Sequence, residues 1–134
     1  MTHADGTRKR ALIVEDDEGQ SELGALMLGE FDLDVCQVRT AEDALDHLRE
    51  HGGSVALVVA DVKLAGPMDG AGLARRVSVL WPTISMIVTS GAEDGSDDLP
   101  PSCVFVPKPW RGLDIVAAAE RAARADHSVS SVRL

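Results

Sequence analysis

Val55-Ala56-Leu57-Val58-Val59-Ala60-Asp61 sets six small or branched apolar residues in a row and ends them on an acid. Six such residues are too few for an ordinary helix and suit a strand buried on both faces, as in a parallel sheet. A lone carboxylate where a strand surfaces needs no special role. Three further apolar runs change that reading, because each also ends on polar groups. Arg10 to Val14 leads into Glu15-Asp16-Asp17-Glu18, Ile84 to Val88 into Thr89-Ser90-Gly91, and Val104-Phe105-Val106 into Pro107-Lys108-Pro109.

Helical signals fill the intervals. Leu23, Leu26, Met27 and Phe31 recur at helical spacing between Gln20 and Phe31, and Leu33 to Val38 is a further short strand. Thr40 is a good N-cap for Ala41 to Glu50, whose stripe is Ala41, Ala44, Leu45 and Leu48, and Gly52-Gly53 ends that helix. Ala71 to Leu80 is stopped by Trp81-Pro82. A last helix is expected from Gly112 to Ala125, with Leu113, Val116, Ala117 and Ala119 to Ala123 at or near its inner face. Residues 1–9 read as a flexible lead-in, 10–125 as one domain and 126–134 as a flexible polar tail. The few residues beyond the last helix cannot bury a core, so the domain is expected to stand alone.

Strand and helix in regular alternation imply right-handed crossovers and a doubly wound parallel sheet covered on both faces. For a five-stranded sheet of order 2-1-3-4-5, the flavodoxin-like arrangement, ligands bind beyond the carboxyl ends of strands one and three. Glu15, Asp16, Asp61, Thr89 and Lys108 all fall on that rim.

Composition restricts what the rim can do. A net charge of -9 and the absence of a basic stripe oppose nucleic-acid binding. No signal-peptide core and no apolar stretch near the ~18 residues of a membrane span is present, so a cytoplasmic protein without membrane contact is expected. Cys36 and Cys103 lack metal-ligand spacing and fall at opposite edges of the proposed sheet, about 19 Å apart across four strand spacings. Bridging requires less than about 7 Å between Cα atoms, so two free thiols are expected.

Three carboxylates packed together need a cation, and Mg2+ suits their oxygens while keeping waters and accepting a phosphate oxygen. An Asp can be the nucleophile that becomes an aspartyl phosphate, with Lys and a hydroxyl stabilising the transferring group. Asp61, Lys108 and Thr89 supply those parts.

With these residues in place the chain resembles the receiver domains of two-component response regulators. The matching stretches are Leu12-Ile13-Val14-Glu15-Asp16-Asp17, Val58-Val59-Ala60-Asp61, Met68-Asp69-Gly70, Ile87-Val88-Thr89-Ser90-Gly91 and Phe105-Val106-Pro107-Lys108-Pro109. The resemblance implies that Asp61 accepts phosphate from a sensor histidine kinase or a histidine phosphotransfer protein. It implies Mg2+ bound directly by Asp16 and Asp61, through water by Glu15, and by the Lys63 main-chain carbonyl. It gives Thr89 and Phe105 switch roles, Lys108 a phosphate-pairing role, and the Lys108-Pro109 bond a cis geometry. Activity would be at most self-phosphorylation from phosphodonors and slow autodephosphorylation. A register pairing Asp16 with Asp17 is the alternative for the acids.

Two departures stand out. The position four residues after Asp61, usually Pro in the family, is Ala65, in a loop one residue longer than usual. The segment from Gly91 to Ser102 carries Gly, Pro and four acids without a helical stripe, so the helix that joins strands four and five in most receivers is expected to be shortened or absent. Two other functions fit the fold: a phosphorylation-independent interaction module, and a Mg2+-dependent phosphohydrolase. The hydrolase usually has a second Asp two residues after its nucleophile, where this chain has Lys63.

Overall fold

The computed structural model describes residues 9–91 and 99–132. In chain order the elements are β1 (Arg10–Val14), α1 (Glu18–Gly29), β2 (Asp34–Val38), α2 (Ala41–His51), a 3-10 turn (Gly52–Ser54), β3 (Val55–Asp61), α3 (Gly70–Leu80), β4 (Ser85–Ser90), β5 (Val104–Pro107) and α4 (Gly112–Val132). All strand pairs are parallel and the order is β2-β1-β3-β4-β5, as the alternation of elements requires.

Alternate residues of each strand enter opposite layers of the core, because successive side chains of a strand point to opposite faces. Leu12, Val14, Val58, Ala60, Met86 and Val88 pack with Leu45 and Leu48 of α2 and Leu73 and Val77 of α3. Ala11, Ile13, Leu57, Val59, Ile87 and Val106 pack with Leu28 of α1 and Ile115 and Ala118 of α4. Val58 and Val59 therefore fill different layers, which is why the decisive run has no polar alternation.

Three boundaries and two faces differ from the sequence reading. Helix α1 begins at Glu18 because Asp17 caps it, and β4 continues through Thr89 and Ser90. Helix α4 continues to Val132, past the expected end at Ala125 and into the stretch read as a tail; a helix already nucleated over an Ala-rich run propagates cheaply. The spacing of Leu23, Leu26, Met27 and Phe31 marks a helix but not its inner face, which is formed by Ser21, Gly24 and Leu28. On α4, Leu113 likewise points outward, and Ile115, Ala118 and Ala122 are buried.

The remaining expectations concern the connections. Lys108-Pro109 is cis. Both cysteines are free, with Cys36 on the β2 edge and Cys103 just before the β5 edge. Among the described residues no helix lies between β4 and β5. Most of the expectation of a reduced helix there falls on residues 92–98, which lie outside the described residues. The longer loop after β3 turns at Gly66, whose φ of 98° lies in the left-handed region that glycine adopts without a Cβ clash. It closes where the Gly70 N–H donates to the Val62 carbonyl at 2.8 Å. A Cβ at Gly70 would collide with the main chain of Asp61, so glycine is what lets α3 start against the end of β3.

Candidate functional site

Parallel pairing sets the depth at which each polar residue emerges. Asp61 is in register with Thr89 across β3 and β4, and the Val62 N–H donates to the Thr89 carbonyl at 2.8 Å, one step beyond. The Lys108 N–H donates to the Ser90 carbonyl and the Glu15 N–H to the Val38 carbonyl, each at 3.0 Å. These bonds extend the sheet ladder past the strand ends. They keep the first residue after β1, β3 and β5 in the ladder.

Lys108 is the centre of the resulting cluster. Its Nζ donates to Asp61 Oδ2 at 2.9 Å, to Glu15 Oε1 at 3.0 Å and to Gln20 Oε1 at 2.6 Å. Asp61 Oδ1 accepts the Lys63 N–H at 3.2 Å, while the Lys63 residue as a whole is exposed. Glu15 is only 7% exposed. Burial pushes its carboxyl above the usual 4.5, against the lowering effect of its bonds to Lys108 and the Asp17 N–H. Burial also opposes charge on Lys108, but the bonds to Asp61 and Glu15 outweigh it and raise the ammonium above its usual 10.5. One cation shared by two acids gains from both, whereas each acid receives only part of it.

A cavity of about 460 Å3 opens at this cluster. Glu15, Gln20, Asp61, Thr89 and Lys108 form its polar end, and Ile13, Leu23, Gly24, Met27, Pro109 and Trp110 are among the residues that continue it along α1. Thr89 is buried at this wall. Phe105 lies outside the cavity: its Cα pairs with Val88 on β4, and its half-buried ring packs in the layer beneath α2 and α3.

The acids that follow β1 make different contacts. Asp17 Oδ1 accepts the Gln20 N–H at 2.9 Å as the N-cap of α1, while Glu15 faces Asp61 across Lys108. Asp16 is half-buried between them, and its carbonyl accepts from Arg39 Nη2 at 3.4 Å. Two residues of the site escaped the sequence reading. Gln20 looked like part of a helix, and Trp110 followed the motif it belongs to; the Asp17-Glu18-Gly19-Gln20 spacing was the available signal for the first.

The response regulator receiver domain family matches residues 11–100. The chain is 35% identical over 103 residues to the sensor kinase CckA of Brucella abortus (strain 2308), covering 74% of this chain and 11% of that protein. It thus spans about a tenth of that relative's length. Among solved structures, a response regulator receiver protein from Sinorhizobium medicae WSM419 superposes with a TM-score of 0.78 at 20% identity, covering 89% of this chain and 97% of that one. A sensor protein from Polaromonas sp. JS666 gives 0.72 at 27%, covering 89% and 98%. This chain belongs to the response regulator receiver domain family, the phosphoacceptor modules of two-component signalling.

Receiver domains typically use Mg2+ for phosphotransfer. Among the described residues no three acidic, His or Cys side chains are gathered tightly enough to hold a metal ion by themselves. The donors still fit the ion: Glu15 and Asp61 are close enough to share one cation, and their carboxylates offer the hard oxygens Mg2+ takes, with Asp16 next to Glu15 in the chain.

Proposed function

We propose that Asp61 is the phosphoacceptor of this receiver and that a phosphohistidine on a sensor histidine kinase or phosphotransfer protein is the donor, in the cytoplasm. The observation that carries the reading is the shared ammonium of Lys108, bonded at once to Glu15 and Asp61 on two different strand ends. A carboxylate oxygen of Asp61 attacks phosphorus and the new O–P bond forms as the P–N bond breaks; the donor ring, already protonated on its other nitrogen, keeps the electron pair and leaves as neutral imidazole. Lys108 balances charge on the phosphoryl oxygens, and the Thr89 hydroxyl at the same cavity wall donates to one of them. Asp16, Asp61 and the Lys63 carbonyl would hold Mg2+ directly and Glu15 through water; when bound, the ion supplies further neutralisation of the phosphoryl group.

The donor reading is supported by the similarity to a sensor kinase and by the apolar surface beside the cleft. Leu23 and Leu26 on α1 are 57% and 72% exposed, a position suited to a partner's helix. Thr89 would report phosphorylation to Phe105 on the neighbouring strand. The product is an altered binding surface, with self-phosphorylation and slow autodephosphorylation as the chemistry instead of turnover of a free substrate.

Incubation with Mg2+ and a small phosphodonor, followed by intact mass, tests the assignment. Wild type should gain one phosphoryl group and Asp61→Asn none. Equal labelling of both proteins, or an unmodified wild type that a cognate kinase also fails to label, overturns it.

A further inference from the structure

Asp17-Glu18-Gly19-Gln20 has the spacing of a capping box. In that motif the cap side chain accepts the N–H of the third helical residue, and that residue's side chain reaches back to the N–H of the cap. The first half is formed, between Asp17 Oδ1 and the Gln20 N–H. The second is replaced. The Asp17 N–H donates instead to Glu15 Oε2 at 3.1 Å, which satisfies the helix terminus and leaves the Gln20 amide to reach across the cleft to Lys108.

An ammonium has three N–H donors, and the bonds to Glu15, Gln20 and Asp61 use all three. The acceptors stand just past the end of β1, on α1 and at the end of β3, so the nitrogen is held from three directions. They differ in what phosphorylation does to them. Asp61 loses its carboxylate charge when its oxygen bonds to phosphorus, and Glu15 is drawn into neutralising any cation at the site. Gln20 is neutral and takes no part in bond making. Its acceptor oxygen is chemically unchanged by transfer.

We infer that Gln20 is a positioning residue that holds Lys108 over Asp61 and thereby sets the rate of phosphoryl uptake, an inference that rests on the proposed role of Asp61. A lysine side chain has many rotamers to lose. Gln20 removes much of that freedom before the donor arrives, so less ordering remains for the transition state. The anchoring needs no change in the helix, because Asp17 caps α1 through the main chain of residue 20 whatever its side chain.

Gln20→Ala and Gln20→Glu, with two readouts, decide the matter. The first is the NMR signal of the Lys108 ζ-ammonium in unphosphorylated protein, whose protons exchange slowly when each has an acceptor. The second is the rate of Asp61 phosphorylation by a small phosphodonor as a function of donor concentration. Gln20→Ala should broaden or shift the ammonium signal. It should also slow the maximal rate roughly tenfold with little change in half-saturation, below the roughly 100-fold that a 1 Å misplacement can cost, because two anchors remain. Gln20→Glu keeps an acceptor and should keep the signal. An Ala variant with an unchanged ammonium signal, or with a changed signal and an unchanged rate, overturns the inference. Absence of phosphorylation in wild type would fail the role of Asp61 instead, and the ammonium signal would still show whether Gln20 holds Lys108.

Discussion

Helices α2 and α1 cover opposite faces of the same sheet; α2 buries both of its leucines, whereas α1 buries only Leu28 of its three. Helix α2 buries Ala41, Ala44, Leu45 and Leu48, the stripe an amphipathic helix is expected to hide. Helix α1 buries Ser21, Gly24 and Leu28 and turns Leu23 and Leu26 to solvent. The cause lies in what each helix adjoins. Helix α2 meets the apolar side of the sheet and the apolar face of α3. Helix α1 meets Trp110, which comes so close at Gly24 that any side chain there would crowd it, and Ser21 Oγ donates to Gln37 Oε1 of β2 at 2.7 Å. The helix beside the Lys108 cleft is thus rotated to suit the cleft, with Leu23 and Leu26 displayed.

The largest expected effect breaks this contrast open by truncating a leucine on each helix. Leu48→Ala removes a side chain that is 1% exposed and should cost about 2–5 kcal/mol in urea unfolding. Leu26→Ala should change stability by less than about 0.5 kcal/mol, as surface substitutions do, while slowing transfer from a phosphohistidine partner and sparing labelling by a small phosphodonor. Equal destabilisation by the two would mean that Leu26 packs inward after all.

How far the sequence could be read follows the same division. Strand order, the run through Val59 to Asp61 and the stripe of α2 were legible, because burial on two faces or one leaves a periodic mark. Glu15, Asp61, Thr89 and Lys108 were legible as strand ends that a parallel fold brings to one rim. The inner face of α1 was not, since Gly24 and Ser21 have no hydrophobic signature and are buried by what Trp110 and Gln37 do across the structure. Gln20 was hidden for a related reason: its side chain is redirected by Glu15, five residues earlier and on another element.

The next effect in size sharpens the comparison through pH, because α2 carries a titratable group that its burial does not favour in charged form. His47 Nε2 is buried without a hydrogen-bond partner among the described residues, and the His51 ring lies 4.8 Å away. Burial first, then the charges of His51 and Arg10, lower the His47 pKa below 6.5, with Glu50 opposing. The unfolded chain then binds a proton more readily than the folded one between that lowered value and 6.5. His47 therefore contributes stability that is present above 6.5 and lost as pH falls through that window. The difference in urea midpoint between wild type and His47→Gln should shift against wild type on going from pH 7.5 to 5.5. Parallel pH profiles would show that His47 titrates alike in both states.

The smallest expected effect is Gly24→Ala, where two opposing terms nearly cancel on the helix that faces the cleft. Alanine in a helix interior is favoured over glycine by about 0.8–1 kcal/mol. Against this, the new Cβ would lie 3.1 Å from Trp110 Cη2 and 3.2 Å from Ile13 Cδ1, closer than ordinary carbon contacts of about 3.5–4.0 Å. Ile13 is fixed in the core at 3% exposure, but Trp110 is half-buried and can move its ring outward by the few tenths of an ångström required. The net change in stability should therefore stay within about 0.5 kcal/mol. The displacement should appear instead in Trp110 itself. In a Trp81→Phe background, where Trp110 is the remaining indole, Gly24→Ala should shift its fluorescence to the red as the ring gains solvent, and the cavity beside Lys108 should widen toward α1. An unshifted emission together with a loss of more than about 1 kcal/mol would place the strain on Ile13 and the core, and would show that the cleft wall is as rigid as the layer beneath α2.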